Sequence, residues 1–90
     1  MPYQVIVPKR VEKAILQLDA KIRDKVLSVL KTMAINPFIP NLDIKRMQGT
    51  DYTYRLRLGK LRILLDIIEK KQEIHLIKAG FRGDVYKKGR

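Results

Sequence analysis

One short segment concentrates the residues that could do chemistry: residues 54–67, YRLRLGKLRILLDI, contain Arg55, Arg57 and Arg62. Apolar residues alternate with the arginines in both halves, which predicts two β-strands, and Gly59-Lys60 suits a two-residue type II′ hairpin turn between them. In that register Arg57 lies directly opposite Arg62. Like charges so placed destabilise strand pairing by very roughly 0.2 to 1 kcal/mol, so we expect this face of the hairpin to hold an anion.

Arginine clusters suit one part of the chemistry of RNA cleavage. Their planar guanidinium groups bind phosphate oxygens bidentately and stabilise the negative charge that develops on a reacting phosphate. Cleavage without a metal also needs a group that takes the proton of the 2′-hydroxyl and one that protonates the leaving oxygen. Tyr86 is the candidate base, because nearby cations favour the phenolate over a phenol of pKa ~10. Arg82, Arg57 or Arg62 could provide that field.

The composition favours a polyanionic partner. The 90 residues contain 20 Lys plus Arg against 9 Asp plus Glu, a formal net charge of +11. Nucleic acid or an acidic protein fits this charge better than a membrane surface, although a basic face can also serve solubility alone. With no cysteine and a single histidine, thiolate catalysis and cysteine zinc sites are excluded, and we expect no metal or cofactor.

The termini and apolar runs indicate a cytoplasmic protein. No run approaches the roughly 18 apolar residues of a membrane span, and the amino-terminal sequence MPYQVIVPKR lacks the apolar stretch of a signal peptide. We therefore expect no contact with a membrane. At this length we predict a single domain over residues 1–90.

The first third of the chain predicts a strand and two helices. Residues 3–7 form a short β-like run that Pro8 closes. Apolar residues then recur at helical spacing on either side of Asp19, the predicted cap of the second helix, and Asn36-Pro37 ends the pattern. The two stripes consist of Val11, Ala14, Ile15 and Leu18, then Ile22, Val26, Val29, Leu30 and Met33.

The remainder predicts a sheet. A loop over residues 38–43 leads to strands at 44–47, 52–58, 61–68 and 73–78, with turns at 49–51 and 69–72. The predicted class is α+β, with an N-terminal strand and a two-helix hairpin packed on one face of a small antiparallel β-sheet. The opposite, open face of the sheet should then carry Arg55, Arg57, Arg62, Leu64 and Asp66.

An ordered set of motifs resembles the RelE family of toxins from toxin–antitoxin pairs. The segment YRLRLGKLRILLDI is preceded by KRMQG and followed by HLIKAGFRGDVY. The specific part of the resemblance covers residues 45–86, and the element order extends it over nearly the whole chain. Enzymes of this family cut messenger RNA in the ribosomal A site, so the resemblance implies a ribosome-dependent, metal-independent endoribonuclease that inhibits translation and is held inactive by an acidic, RelB-like antitoxin.

The resemblance also implies roles for particular residues. The implied catalytic residues are Arg55, Arg57, Arg62, Arg82 and Tyr86, with Arg82 or a ribosomal RNA group as the leaving-group acid. At two of these places the best-known member of the family has lysine, and this chain has arginine. A guanidinium group does not readily give up a proton, so Arg55 is a poorer general base than a lysine would be. The resemblance therefore supports RNA binding more than catalytic turnover. The expected RNA-binding residues are Lys45, Arg46, Lys60, Lys87 and Lys88.

Structural roles, without a function in catalysis or binding, stay open for some of these residues. Tyr86 could pack on the sheet as a terminal aromatic residue, and His75 is expected to be a structural strand residue. Asp66, four residues from Arg62 on the same face, could soften the repulsion between the arginines. Two other functions also fit the sequence: a ParE-like toxin that inhibits DNA gyrase by binding, and a basic RNA-binding module without catalysis.

Overall fold

A strand, two helices and four further strands follow one another along the chain in a computed structural model, which describes residues 2–81. The elements are β1 (Gln4–Ile6), α1 (Lys9–Leu16), α2 (Ala20–Ile35), β2 (Ile44–Arg46), β3 (Thr53–Leu58), β4 (Leu61–Ile68) and β5 (Glu73–Phe81). Each lies where the apolar periodicity predicts it, and β5 extends three residues beyond the predicted end at Lys78.

The five strands form one sheet in the order β1-β5-β4-β3-β2. Strands β2 to β5 are antiparallel neighbours, whereas β1 pairs with β5 in parallel, Val5 lying opposite Ile74. The predicted α+β class is confirmed, with the refinement that the sheet is mixed. The two helices connect β1 at one edge of the sheet to β2 at the opposite edge. Strands β2 to β5 then follow one another back across the sheet, so β5 lies beside β1.

The β3–β4 hairpin has the predicted turn and register. Gly59 has φ +63° and Lys60 a negative φ, the combination that a type II′ turn requires. Arg57 pairs with Arg62 and Leu58 with Leu61, as the alternation predicts. The opposition of two arginines is therefore a real feature of the fold.

Both helices pack on the same face of the sheet. Asp19 caps α2 by accepting a hydrogen bond from the backbone nitrogen of Lys21 (3.3 Å), as predicted. The buried apolar core consists of Val11, Ile15, Val26, Leu30 and Met33 from the helices and Leu56, Leu61, Ile63, Leu65, Ile67, Ile74 and Leu76 from the sheet. Within residues 2–81, neither helix has the length and apolarity needed to cross a membrane.

A β-bulge in the β4–β5 pair adjusts the open face. The register shifts between Leu64 and Leu65, which leaves Ile77 as the extra residue of β5. Beyond the bulge, Gly80 lies opposite Arg62. Because glycine has no side chain, the sheet beside Arg62 is uncovered on that flank.

Candidate nucleic-acid interface

Four cationic side chains meet on the face of the sheet that the helices leave open. Two pairs of like charge lie directly opposite one another: Lys45 with Arg55 across β2 and β3, and Arg57 with Arg62 across β3 and β4. Together with Asp43 they line a pocket of about 260 Å³, which we call the arginine pocket. The structure thus brings together three of the predicted catalytic arginines and one of the predicted RNA-binding lysines.

Arg57 and Arg62, which lie opposite each other, donate hydrogen bonds to different acceptors. Arg57 Nε donates a hydrogen bond to Asp43 Oδ2 at 2.7 Å, and Arg62 Nη1 donates one to the carbonyl oxygen of Gly59 at 2.8 Å. These contacts compensate part of the like-charge repulsion within the protein itself. The protein therefore offsets part of the opposition by itself, and both guanidinium groups line the pocket, so binding of an anion on this face stays a prediction.

Asp43 is the site residue that the sequence did not reveal. It precedes β2 and lies two residues before Lys45, so it shares the open face. Its backbone carbonyl accepts from Arg57 N at 2.9 Å, which extends the β2–β3 ladder by one bond. Pairing Asp43 with Arg57 requires the register between β2 and β3, which depends on the turn that precedes β3. The sequence alone does not give that register, so it could not identify Asp43 as the partner of Arg57.

Asp66 does not have the role considered for it. Its Oδ1 accepts a hydrogen bond from the Thr53 hydroxyl at 2.7 Å, across the β3–β4 pair, and it does not line the arginine pocket. The carboxylate that pairs with an opposed arginine is Asp43. His75 lies on the same face and contacts Glu73 through Nε2 at 2.9 Å, an arrangement that fits the structural role expected of it.

Two of the predicted RNA-binding residues lie outside the arginine pocket. Arg46 pairs with Tyr54, so its side chain projects toward the helix-covered side, where it lines a separate groove with Asp51 and Tyr52. Lys60 lies in the hairpin turn and lines a groove beside α2. The structure therefore separates Arg46 and Lys60 from the four clustered cations.

Four predicted site residues, Arg82, Tyr86, Lys87 and Lys88, lie outside the described residues. Their roles as base, acid and phosphate contacts stay predictions. In residues 2–81, no three side chains of the His, Cys, Asp or Glu types are grouped so that they could hold a metal ion. The chemistry that the described part of the pocket can perform is anion binding by guanidinium and ammonium groups.

Solved structures of toxins share this fold. The chain superposes on the archaeal RelE–RelB complex from Pyrococcus horikoshii with a TM-score of 0.81 and 28% identity, covering 93% of this chain and 99% of that chain. The isolated RelE toxin of E. coli gives a TM-score of 0.73 at 21% identity, covering 94% of this chain and 92% of that one. The fold is that of the class of RelE-like toxins.

A comparison of sequences assigns the family. A protein of Methanocaldococcus jannaschii called "Putative toxin RelE1" is 34% identical over 89 residues, which cover 97% of this chain and 98% of that protein. No protein-family model matches the chain. The identity and coverage show that this chain belongs to the RelE family of toxins from toxin–antitoxin systems, as the motifs in its sequence indicate.

Proposed function

We propose that this protein is the toxin of a type II toxin–antitoxin pair and cleaves messenger RNA on the ribosome, thereby inhibiting translation. The observation that carries the proposal is the arginine pocket, in which two pairs of directly opposed cations line one open surface. Each such pair costs stability on the order of 0.2 to 1 kcal/mol. A sheet face that keeps two of them is well suited to a polyanionic ligand.

In this proposal the cations act on the phosphate. Attack of the 2′-hydroxyl oxygen on the neighbouring phosphorus forms a 2′,3′-cyclic phosphate and expels the 5′ oxygen of the next nucleotide. The guanidinium groups of Arg55, Arg57 and Arg62 hold the non-bridging oxygens and stabilise the charge that grows on them. Lys45 adds a fourth positive charge beside Arg55.

The proton transfers are assigned to residues beyond β5. Tyr86, as phenolate, takes the proton of the 2′-hydroxyl, and Arg82 or a group of the ribosome protonates the 5′ oxygen that leaves. Arginine holds its own proton tightly, so Arg55 is assigned to binding and charge stabilisation. No metal or cofactor enters these steps.

We further propose an acidic antitoxin as partner. The relative from Pyrococcus horikoshii is solved as a RelE–RelB complex. A net charge of +11 would attract an acidic, partly disordered chain that folds on the toxin and neutralises its basic surface. Ribosome and messenger RNA are the remaining partners, in the cytoplasm.

In vitro translation with mapping of message ends tests this function. We expect purified protein to produce cuts confined to codons that ribosomes occupy, and none in the same message without ribosomes. The variants Arg57→Ala and Tyr86→Phe should lose the cuts, whereas Arg10→Ala, at an exposed position of α1, should retain them. An intact message in the presence of translating ribosomes would contradict the proposal, and loss of gyrase supercoiling instead would identify the gyrase-binding alternative.

A further inference from the structure

Asp43 is placed inside the arginine pocket by two bonds to one residue. Its carbonyl oxygen accepts from Arg57 N at 2.9 Å, and its Oδ2 accepts from Arg57 Nε at 2.7 Å. Among residues 2–81, the pocket is lined by this one carboxylate and four cations. In the free protein its charge compensates part of the repulsion between Arg57 and Arg62, and it also places an acceptor of hydrogen bonds among the phosphate-binding cations.

The side-chain contact is weak enough for a ligand to displace. The Arg57 and Asp43 side chains are 56% and 48% exposed, and ion pairs with this exposure stabilise by only ~0 to 1 kcal/mol. A phosphate that binds Arg57 bidentately can therefore replace the carboxylate. The backbone bond between Arg57 N and the Asp43 carbonyl does not involve either side chain, so it keeps Asp43 beside Arg57 and the carboxylate within reach of a ligand bound there.

An ionised carboxylate discriminates between the groups that accompany a phosphate. It accepts hydrogen bonds and donates none, so it repels a second anionic oxygen and binds a hydroxyl. In RNA the 2′-hydroxyl stands on the carbon beside the 3′-phosphate, and in DNA that carbon has no donor. The 2′-hydroxyl is the group by which proteins distinguish RNA from DNA at a given site.

We propose that Asp43 is a specificity-determining residue, which selects ribose over deoxyribose phosphodiesters on binding by accepting a hydrogen bond from the 2′-hydroxyl beside a phosphate bound to Arg57. This bond belongs to the bound state before reaction, and the hydroxyl leaves Asp43 when Tyr86 takes its proton. The inference rests on the proposed function, because it takes the arginine pocket to be the RNA site. It adds the class of ligand that the pocket prefers and the residue that sets the preference. Cations alone would bind both nucleic acids through their phosphates.

Equilibrium binding of three oligonucleotides to the full chain tests the proposal. They share one sequence and carry ribose, 2′-deoxyribose or 2′-O-methylribose throughout, the last having an RNA-like sugar that cannot donate a hydrogen bond. We expect the wild type to bind the ribose form roughly three- to tenfold more tightly than either other form, the range of one ordinary net hydrogen bond, because exposure of Asp43 weakens the contribution of its charge. In Asp43→Ala the three affinities should converge to within about twofold, with the deoxyribose form binding more tightly than before.

Matched variants separate specificity from charge and folding. Asp51→Ala removes the same charge from an exposed position outside the pocket, and should raise all three affinities alike without changing their ratio. Asp43→Asn keeps an acceptor oxygen without the charge and should retain part of the preference. Thermal unfolding of each variant establishes that the compared proteins are folded.

The outcomes distinguish this proposal from the proposed function. If Asp43→Ala keeps the full ribose preference, the role of Asp43 is overturned while the RNA-cleaving function stands. A wild type that binds the ribose and deoxyribose forms equally also overturns it. A wild type that binds none of the three overturns ribose selection by the isolated protein, whereas message-end mapping on translating ribosomes decides the proposed cleavage.

Discussion

Replacing Arg62 by alanine should abolish activity while leaving the fold almost unchanged. In the structure Arg62 is half-buried on the open face, opposite Arg57, and its Nη1 bonds the carbonyl oxygen of Gly59 at 2.8 Å. Its Nη1 makes a second, longer bond to the backbone carbonyl of Leu61 at 3.3 Å, but its side chain lies on the face opposite the apolar core. The variant Arg62→Ala therefore separates the function of the pocket from the stability of the domain.

The expected change in stability is a small difference of two effects. Loss of the bond to Gly59 costs about 0.5 to 1.5 kcal/mol, the usual net value of a hydrogen bond in a protein. Relief of the opposition to Arg57 returns about 0.2 to 1 kcal/mol. The free energy of unfolding should fall by no more than about 1.3 kcal/mol, a minor part of the roughly 5 kcal/mol or more typical of a folded domain.

The expected change in activity is much larger. Removing a single donor aimed at developing negative charge lowers a catalytic rate by on the order of 10² to 10³. Message-end mapping during in vitro translation measures the rate, and urea unfolding measures stability on the same preparations. Arg10→Ala, which removes the same charge from an exposed position of α1, serves as the control and should cleave like the wild type.

Two results would refute this reasoning. The first is an Arg62→Ala protein that cleaves within about threefold of the wild-type rate, far below the loss of one transition-state donor. The second is an equal loss of activity in Arg62→Ala and Arg10→Ala. That result would show that net charge matters and the position of Arg62 does not.

Three further predictions concern the surroundings of the pocket. Lys45→Ala should weaken RNA binding more than Arg46→Ala does, because Lys45 lines the arginine pocket and Arg46 does not. It should also reduce the salt dependence of binding more, and this dependence is measured as the slope of log affinity against log salt concentration. Gly59→Ala should lower the free energy of unfolding, measured in urea, by about 1 to 2 kcal/mol, because φ is +63° at this position. An added Cβ meets nothing within 4 Å, so the expected loss comes from backbone strain, and an unchanged urea midpoint would exclude that strain. Burial, followed by the charge of Glu69, raises the pKa of Tyr3, so the folded state holds that proton more tightly. Stability from this group is present below pH ~10 and falls as pH rises beyond it, and the fall should be smaller in Tyr3→Phe, as urea midpoints at neutral and high pH would reveal.

Much of the fold could be predicted because its signals are local. Apolar residues at helical spacing place Val26, Leu30 and Met33 in the core, and strict alternation places Leu56 and Ile63 there. The hairpin register follows from Gly59 alone, because a two-residue turn leaves a single way to pair the strands on either side. The separation of Lys45 from Arg46 is also a local effect, since adjacent strand residues face opposite sides.

Other features depend on distant pairings. The parallel contact of β1 with β5 joins Gln4 to Glu73, and no local pattern in either strand specifies that partner. The β-bulge beside Leu64 is likewise absent from the alternation of β4, yet it determines that Gly80 flanks Arg62. Such contacts require the whole sheet to assemble.

The sequence by itself determined that Arg55, Arg57 and Arg62 share one open sheet face and that two of them oppose each other, because alternation and a glycine turn leave little freedom over short distances. Tertiary structure decided how the protein tolerates that opposition. Packing of β2 against β3 brings Asp43 to Arg57, while the hairpin turn offers the carbonyl oxygen of Gly59 to Arg62. A charge acts through space rather than along the chain, so the partners of these arginines follow only from the assembled sheet.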